Sequence, residues 1–224
     1  MRSLSAARGV LLAALAAAAC SREPRRAFPV GFLEPVSPRV AGEAARLGLQ
    51  IAARAPAGAA EVSAAIPVKG GSGEVAADRS TLRFLTARAI AAGSAGVFLR
   101  LPRAAAGRDL VDYPEEWQAV ERVALELLAV RPVIEAGAPA PAPFAVPNGV
   151  ELRAWTFQGR RYVLLVNSSG GPLTLEERSL APWRALFAVR SDPRQDLVSC
   201  GSGACLPPEG VLWLEGRLLP DLLP

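Results

Sequence analysis

Residues 138–147 read APAPAPFAVP, and this segment governs how the rest of the 224-residue chain is parsed. Prolines at 139, 141, 143 and 147 remove backbone donors and fix φ, so the stretch is expected to be a stiff, extended linker between two units. Before it, short apolar runs alternate with helix-patterned segments. After it, short strand-patterned runs follow one another. The expected fold class is α/β plus all-β: a partial (βα) repeat over 27–137, then a small antiparallel β-sandwich over 148–219.

In the first unit, Phe28 to Leu33 is a short apolar run closed by Glu34-Pro35, which predicts a buried strand. Ser37-Pro38 supplies an N-cap and a first-turn proline. Val40, Ala44, Leu47 and Ile51 follow at helical spacing, so a helix is expected to about Arg54. Val62 to Val68 predicts a second strand, and Lys69 to Gly73 a flexible loop. A helix opens near Asp78 or Ser80 and ends at Gly93, and Val97 to Leu101 predicts a third strand. Asp112-Tyr113-Pro114-Glu115 then starts a helix, with Asp112 as a cap, that carries Trp117, Val120, Ala124 and Leu127 to Arg131-Pro132. Strands separated by helices in this way normally lie parallel. No GxGxxG or GxxxxGK[ST] follows any of them, and Gly70-Gly71-Ser72-Gly73 lacks the Lys-Ser/Thr of a phosphate loop.

In the second unit, Val150 to Phe157 and Arg161 to Asn167 read as a hairpin around Gln158-Gly159. Leu173 to Leu175, Trp183 to Arg190, Gln195 to Cys200 and Val211 to Glu215 add short strands.

Composition excludes several chemistries. The chain has no histidine, which rules out Ser-His-Asp and Cys-His catalysis, His-ligated zinc and histidine pH switching. No cofactor or metal is expected. The formal charge is +4, and it falls to +2 without Arg2 and Arg8, too little to argue for a nucleic-acid partner.

Arg2 and Arg8 precede an apolar run from Gly9 to Ala19, then Cys20. A charged start, a short apolar core and small residues at the exit predict an export signal over 1–19, with 20–26 as a tether. Ala17-Ala18-Ala19-Cys20 resembles a bacterial lipoprotein processing box, which implies lipidation of Cys20 and a cell-envelope location. Ala17 stands where that family usually has Leu. The remaining cysteines, Cys200 and Cys205, flank Gly-Ser-Gly-Ala and are expected to form a disulfide, as an exported protein can.

Four stretches carry a second resemblance. ARAIAAGSAGVFLRLP and YPEEWQAVERVALELLAVRPVIEAG resemble the last strand and helix of a TIM-barrel glycoside hydrolase. ELRAWTFQGRRYVLLVNSS and LPPEGVLWLEG are similar to the hairpin and closing strand of the β-sandwich that trails such barrels. The resemblance covers about residues 80 to 217 and implies a truncated barrel, because a whole one takes roughly 250 residues.

Glycosidases of that kind need two carboxylates at strand ends, roughly 5 to 10 Å apart. Glu34 ends the first strand before a proline, resembling the Glu-Pro of several such families, although Leu33 stands where Asn is usual. The second strand ends without a carboxylate, and the third is followed at a distance by Asp109 and Asp112. Trp155, Trp183 and Trp213 offer faces on which sugar rings could stack; core packing is their other use. The expectation is a membrane-anchored, glycoside-hydrolase-like lipoprotein that binds glycan or protein without catalysis. The alternative is a small active glycosidase using Glu34 with Asp109 or Asp112. Three parallel strands and three helices leave apolar surface uncovered, so a second copy or a protein partner is also expected.

Overall fold

The computed structural model describes residues 27–67, 74–102, 109–187, 198–200 and 203–217. The N-terminal half contains β1 (Val30–Leu33), α1 (Pro38–Leu47), β2 (Gln50–Ala52), β3 (Ala60–Ser63), β4 (Ala65–Pro67), β5 (Glu74–Ala76), α2 (Arg79–Ala91), β6 (Val97–Arg100), a 3-10 turn (Leu110–Asp112) and α3 (Pro114–Ala136). Four of these strands form one parallel sheet in the order β2-β1-β6-β3.

Ser37 starts α1 by accepting the Val40 N–H on its Oγ at 3.1 Å. The helix stops earlier than its apolar spacing predicts. Gly48 takes φ +74° and its N–H closes on the last-turn carbonyls, a left-handed C-terminal cap that costs glycine little. The chain then turns back as β2, so Gln50–Ala52 is a fourth strand where a helix to Arg54 was expected. The expected second strand is also divided. Ala60–Ser63 joins the parallel sheet, whereas Ala65–Pro67 leaves it and pairs antiparallel with β5. Residues 69–73 lie outside the described residues.

In a parallel sheet, residues in register share a face. Val30, Phe32, Val97, Leu99 and Val62 point to one side and join a single buried cluster with Val40 and Ala44 of α1, Leu82 and Ile90 of α2, and Val120 and Leu127 of α3. The other side carries Gly31, Leu33 and Phe98, with Glu61, Ser63 and Arg100 beyond them. Gly31 permits the close approach there. A Cβ would lie 2.3 Å from the Gln50 carbonyl oxygen and 2.8 Å from Phe98 Cε1.

Helix α3 runs through Pro132, which was expected to end it. Proline removes the bond to the carbonyl of Leu128, but Pro132 is exposed and water can meet that carbonyl.

The C-terminal half adds β7 (Ala138–Ala140), β8 (Val150–Phe157), β9 (Arg160–Asn167), β10 (Leu173–Leu175), the single turn α4 (Glu177–Leu180), β11 (Arg184–Leu186), β12 (Val198–Cys200), β13 (Gly203–Leu206) and β14 (Val211–Arg217). Five strands form one antiparallel sheet, β11-β14-β9-β8-β7, and three form another, β10-β13-β12. The β8–β9 turn uses Gln158 at φ +50° and Gly159 at φ +70°, the paired positive φ of a two-residue hairpin.

The proline segment needs correction. Ala138–Ala140 is not a spacer but an edge strand, with Pro139 opposite Trp155. An edge tolerates proline because the missing N–H would face outward. The two halves therefore do not stand apart. Alternation along β8, β9 and β14 sends Ala154, Val163, Leu165, Leu212 and Leu214 towards Leu175 and Leu206 of the three-stranded sheet. It sends Trp155, Leu164, Val166, Val211 and Trp213 into the cluster built on α2 and α3. The middle sheet is covered on both faces, which is why YVLLV and VLWL read as continuous apolar runs. The apolar surface of α2 and α3 is buried by the chain's own β strands. Among the described residues, the exposed large apolar side chains are Ile51 and Leu125, which lie singly.

Candidate functional site

Strands of the parallel sheet end towards two loops, 34–37 after β1 and the connection from β6 to α3. The carboxylates singled out from the sequence sit on these loops. In α/β folds, the C-terminal ends of parallel strands are the common location of ligand sites.

The structure brings Asp109 and Asp112 to the start of α1. The Ser37 hydroxyl donates to Asp109 Oδ2. Arg39 Nη1 donates to Asp112 Oδ1 at 2.5 Å, and the Asp109 N–H donates to Asp112 Oδ2 at 2.8 Å. Both aspartates are thus anchors that hold the 3-10 turn against α1. The expected role of Asp112 as the cap of α3 is corrected: the N-cap position is Tyr113, which makes no side-chain cap. The Arg39–Asp112 pair is exposed on both sides, where solvent screens such a bridge and it adds little to stability. Glu34 is exposed at the end of β1, with its backbone N–H on the Ala52 carbonyl at 2.9 Å. Its side chain makes no hydrogen bond or ion pair among the described residues. The sequence marked Ser37 only as a helix N-cap and did not mark Arg39, because contacts more than 70 residues apart leave no local pattern.

The three tryptophans separate. Trp155 and Trp213 are 5% and 4% exposed and stack on each other, ring centroids 5.8 Å apart at 22°. Each face is taken by protein, so neither can receive a sugar ring. Trp183 is half-buried, edge-on to Phe144 at 5.9 Å.

Arg160-Arg161 is a doublet that the sequence reading passed over. In a strand, adjacent side chains point to opposite faces. Arg160 pairs with Glu215 at 2.6 Å, and the Tyr162 hydroxyl also reaches Glu215, at 3.2 Å. Burial pushes the Tyr162 phenol above its ordinary range, and the Glu215 charge adds to the rise. Arg161 points the other way, is 8% exposed, and its Nε is buried without a partner.

Cys20 lies outside the described residues. Cys205 is buried, with its sulfur 3.4 Å from the Thr174 hydroxyl. The side chain of Cys200 lies outside the described residues. Among the described residues no group of three or more His, Cys, Asp and Glu is placed to hold a metal ion, and no helix is long and apolar enough to cross a membrane.

No protein-family model and no curated protein matches the chain. Solved structures similar to it include Eubacterium rectale Amy13B, with 14% identity and a TM-score of 0.43 over 63% of this chain and 35% of that one. An Anoxybacillus alpha-amylase has 12% identity and a TM-score of 0.35 over 62% and 33%. A GH30 endoxylanase from Clostridium papyrosolvens has 10% identity and a TM-score of 0.38 over 63% and 39%. The matches span about a third of the length of those structures.

Proposed function

We propose that this chain is an exported envelope lipoprotein, anchored through Cys20, whose glycoside-hydrolase-like architecture binds glycan without cleaving it. The state of the strand-end carboxylates carries the non-catalytic reading. Hydrolysis needs one carboxylic acid to protonate the leaving oxygen and a second carboxylate facing the sugar or an attacking water. Asp109 and Asp112 are committed to Ser37, Arg39 and the turn backbone. Of these three strand-end carboxylates, Glu34 alone is left exposed without such a bond among the described residues. The resemblance of residues 80 to 217 to a barrel end and its trailing β module supports the glycan reading, and half-buried Trp183 supplies an aromatic surface for it.

The full chain should fractionate with membranes, and Cys20→Ser should release it; a Cys20→Ser protein that stays on the membrane defeats the anchor. A Cys200–Cys205 disulfide belongs to the same reading, and intact mass before and after reduction tests it. Purified protein should not hydrolyse α- or β-linked oligosaccharides. Turnover that Glu34→Gln abolishes would establish the other reading, a small glycosidase using Glu34 with Asp109 or Asp112.

A further inference from the structure

Arg161 is a guanidinium cation placed where a protein rarely leaves one alone. It is 8% exposed, and its Nε is sealed from solvent with no partner. Among the described residues its Nη atoms make no hydrogen bond or ion pair either. Its cross-strand neighbours are Thr156 on β8 and Gly216 on β14, neither charged. The nearby carboxylate, Glu215, lies on the opposite face and is held by Arg160 and Tyr162. A buried cation with nothing opposite it is costly unless an anion is supplied.

An aromatic ring stands beside it. A Cβ built on Gly216 would fall 2.8 Å from a Trp183 ring carbon, so the Trp183 ring lies over Gly216, the residue directly across from Arg161. Glycine leaves the room that this ring fills. Trp183 is half-buried, and Phe144 braces its edge at 5.9 Å. A residue whose planar fork pairs with carboxylates thus lies directly across from a glycine covered by an aromatic ring, of the kind that can take the apolar face of a pyranose.

We propose that Arg161 and Trp183 form a subsite for an acidic saccharide, the carboxylate of a uronic acid pairing with the guanidinium while its ring packs on Trp183. This rests on the glycan-binding reading above and names its ligand class. Simple phosphate would use the cation but not the ring, and a neutral sugar the ring but not the cation.

Calorimetric titration of the detergent-solubilised full chain tests it with three probes: trigalacturonate, maltotriose and inorganic phosphate. Trigalacturonate should bind saturably, at least about tenfold tighter than either of the others. Arg161→Gln should abolish that preference and Trp183→Leu should weaken the trisaccharide. Thr156→Glu places a carboxylate across from Arg161; it should raise the melting temperature and displace the ligand, and it keeps the test open if Arg161→Gln does not fold. Trigalacturonate binding that survives Thr156→Glu unchanged overturns the proposal. Maltotriose binding as well as trigalacturonate overturns the acidic assignment but leaves the glycan reading standing. Phosphate binding as well as trigalacturonate overturns the saccharide. Binding of no saccharide defeats both readings.

Discussion

Arg83 on α2 donates from Nη2 to the backbone carbonyl of Phe187, 2.7 Å away and 104 residues later in the chain. The same guanidinium gives its Nε to Glu126 on α3 at 2.8 Å, and Arg79 takes the other Glu126 oxygen at 2.5 Å. One buried arginine thus ties two helices to the segment after β11.

Removing one partner of such a pair strands the other charge. Glu126→Met takes the carboxylate from both Arg83 and Arg79 and should destabilise the protein by about 3 kcal/mol, whereas Arg83→Met leaves Glu126 its bond from Arg79 and should cost less. The double substitution should cost clearly less than the two together, because the Arg83–Glu126 bond is already lost in either single variant and only Arg79 is left without its carboxylate. Urea unfolding of the four proteins checks this; strict additivity would mean that the bridge is not coupled.

The stacked pair Trp155 and Trp213 lies in the cluster that also holds Leu82, Ile90, Val123 and Leu127. The halves on either side of the proline segment share this core, so neither should fold alone. Residues 27–137 expressed without the rest should lack a cooperative thermal transition. In the full chain, Trp155→Ala should cost about 3 to 5 kcal/mol and lower one unfolding transition rather than split it into two.

Gly31 offers a narrower test. Its missing side chain lets β2 approach β1, with Gln50 and Phe98 closing over it. The obstacle to a Cβ is backbone, which cannot rotate aside. Gly31→Ala should destabilise by about 1 to 3 kcal/mol, and hydrogen exchange of the β2 amides should speed up before that of β6.

What could be read from the sequence follows from how local each signal is. Ser37-Pro38 and Asp78 mark helix starts because a cap bonds within three residues of itself. Gln158-Gly159 marks a hairpin for the same reason. The apolar spacing of Leu47 and Ile51 misled because it continued past Gly48, whose left-handed conformation stops the helix whatever the spacing beyond it. The proline segment misled because its first three residues are held by β8, a partner ten or more residues on. At the strand ends, Glu34, Asp109 and Asp112 were found as residue types, but Ser37 and Arg39 could be matched to the aspartates only in three dimensions. Arg161 had a usable sign: two adjacent arginines in a strand point to opposite faces, so in a strand with a covered face one of them is turned inward.

Asp78 makes folding pH-dependent at α2. Its Oδ1 accepts the Thr81 N–H at 2.9 Å, and its Oδ2 accepts the Thr81 hydroxyl at 3.3 Å. The backbone N–H of Thr81, above all, holds this carboxyl below the usual carboxylate range. Because the folded value lies below the unfolded one, the stabilisation is fully present above the unfolded value, about pH 4. It is lost as pH falls through the depressed folded value. Asp78→Asn keeps an acceptor at the cap but cannot titrate. At about pH 7 the wild-type protein should be more stable than Asp78→Asn by roughly 0.3 to 1 kcal/mol, the helix-dipole contribution of the charge. That margin should shrink as pH falls below the unfolded value and vanish once pH lies below the depressed folded value. Asp78→Ala, which removes the acceptor, should cost about 1 kcal/mol at neutral pH. Urea midpoints for the three proteins across this range read the difference directly. A wild-type margin over Asp78→Asn that stays constant down to acid pH would show that Asp78 does not titrate with folding.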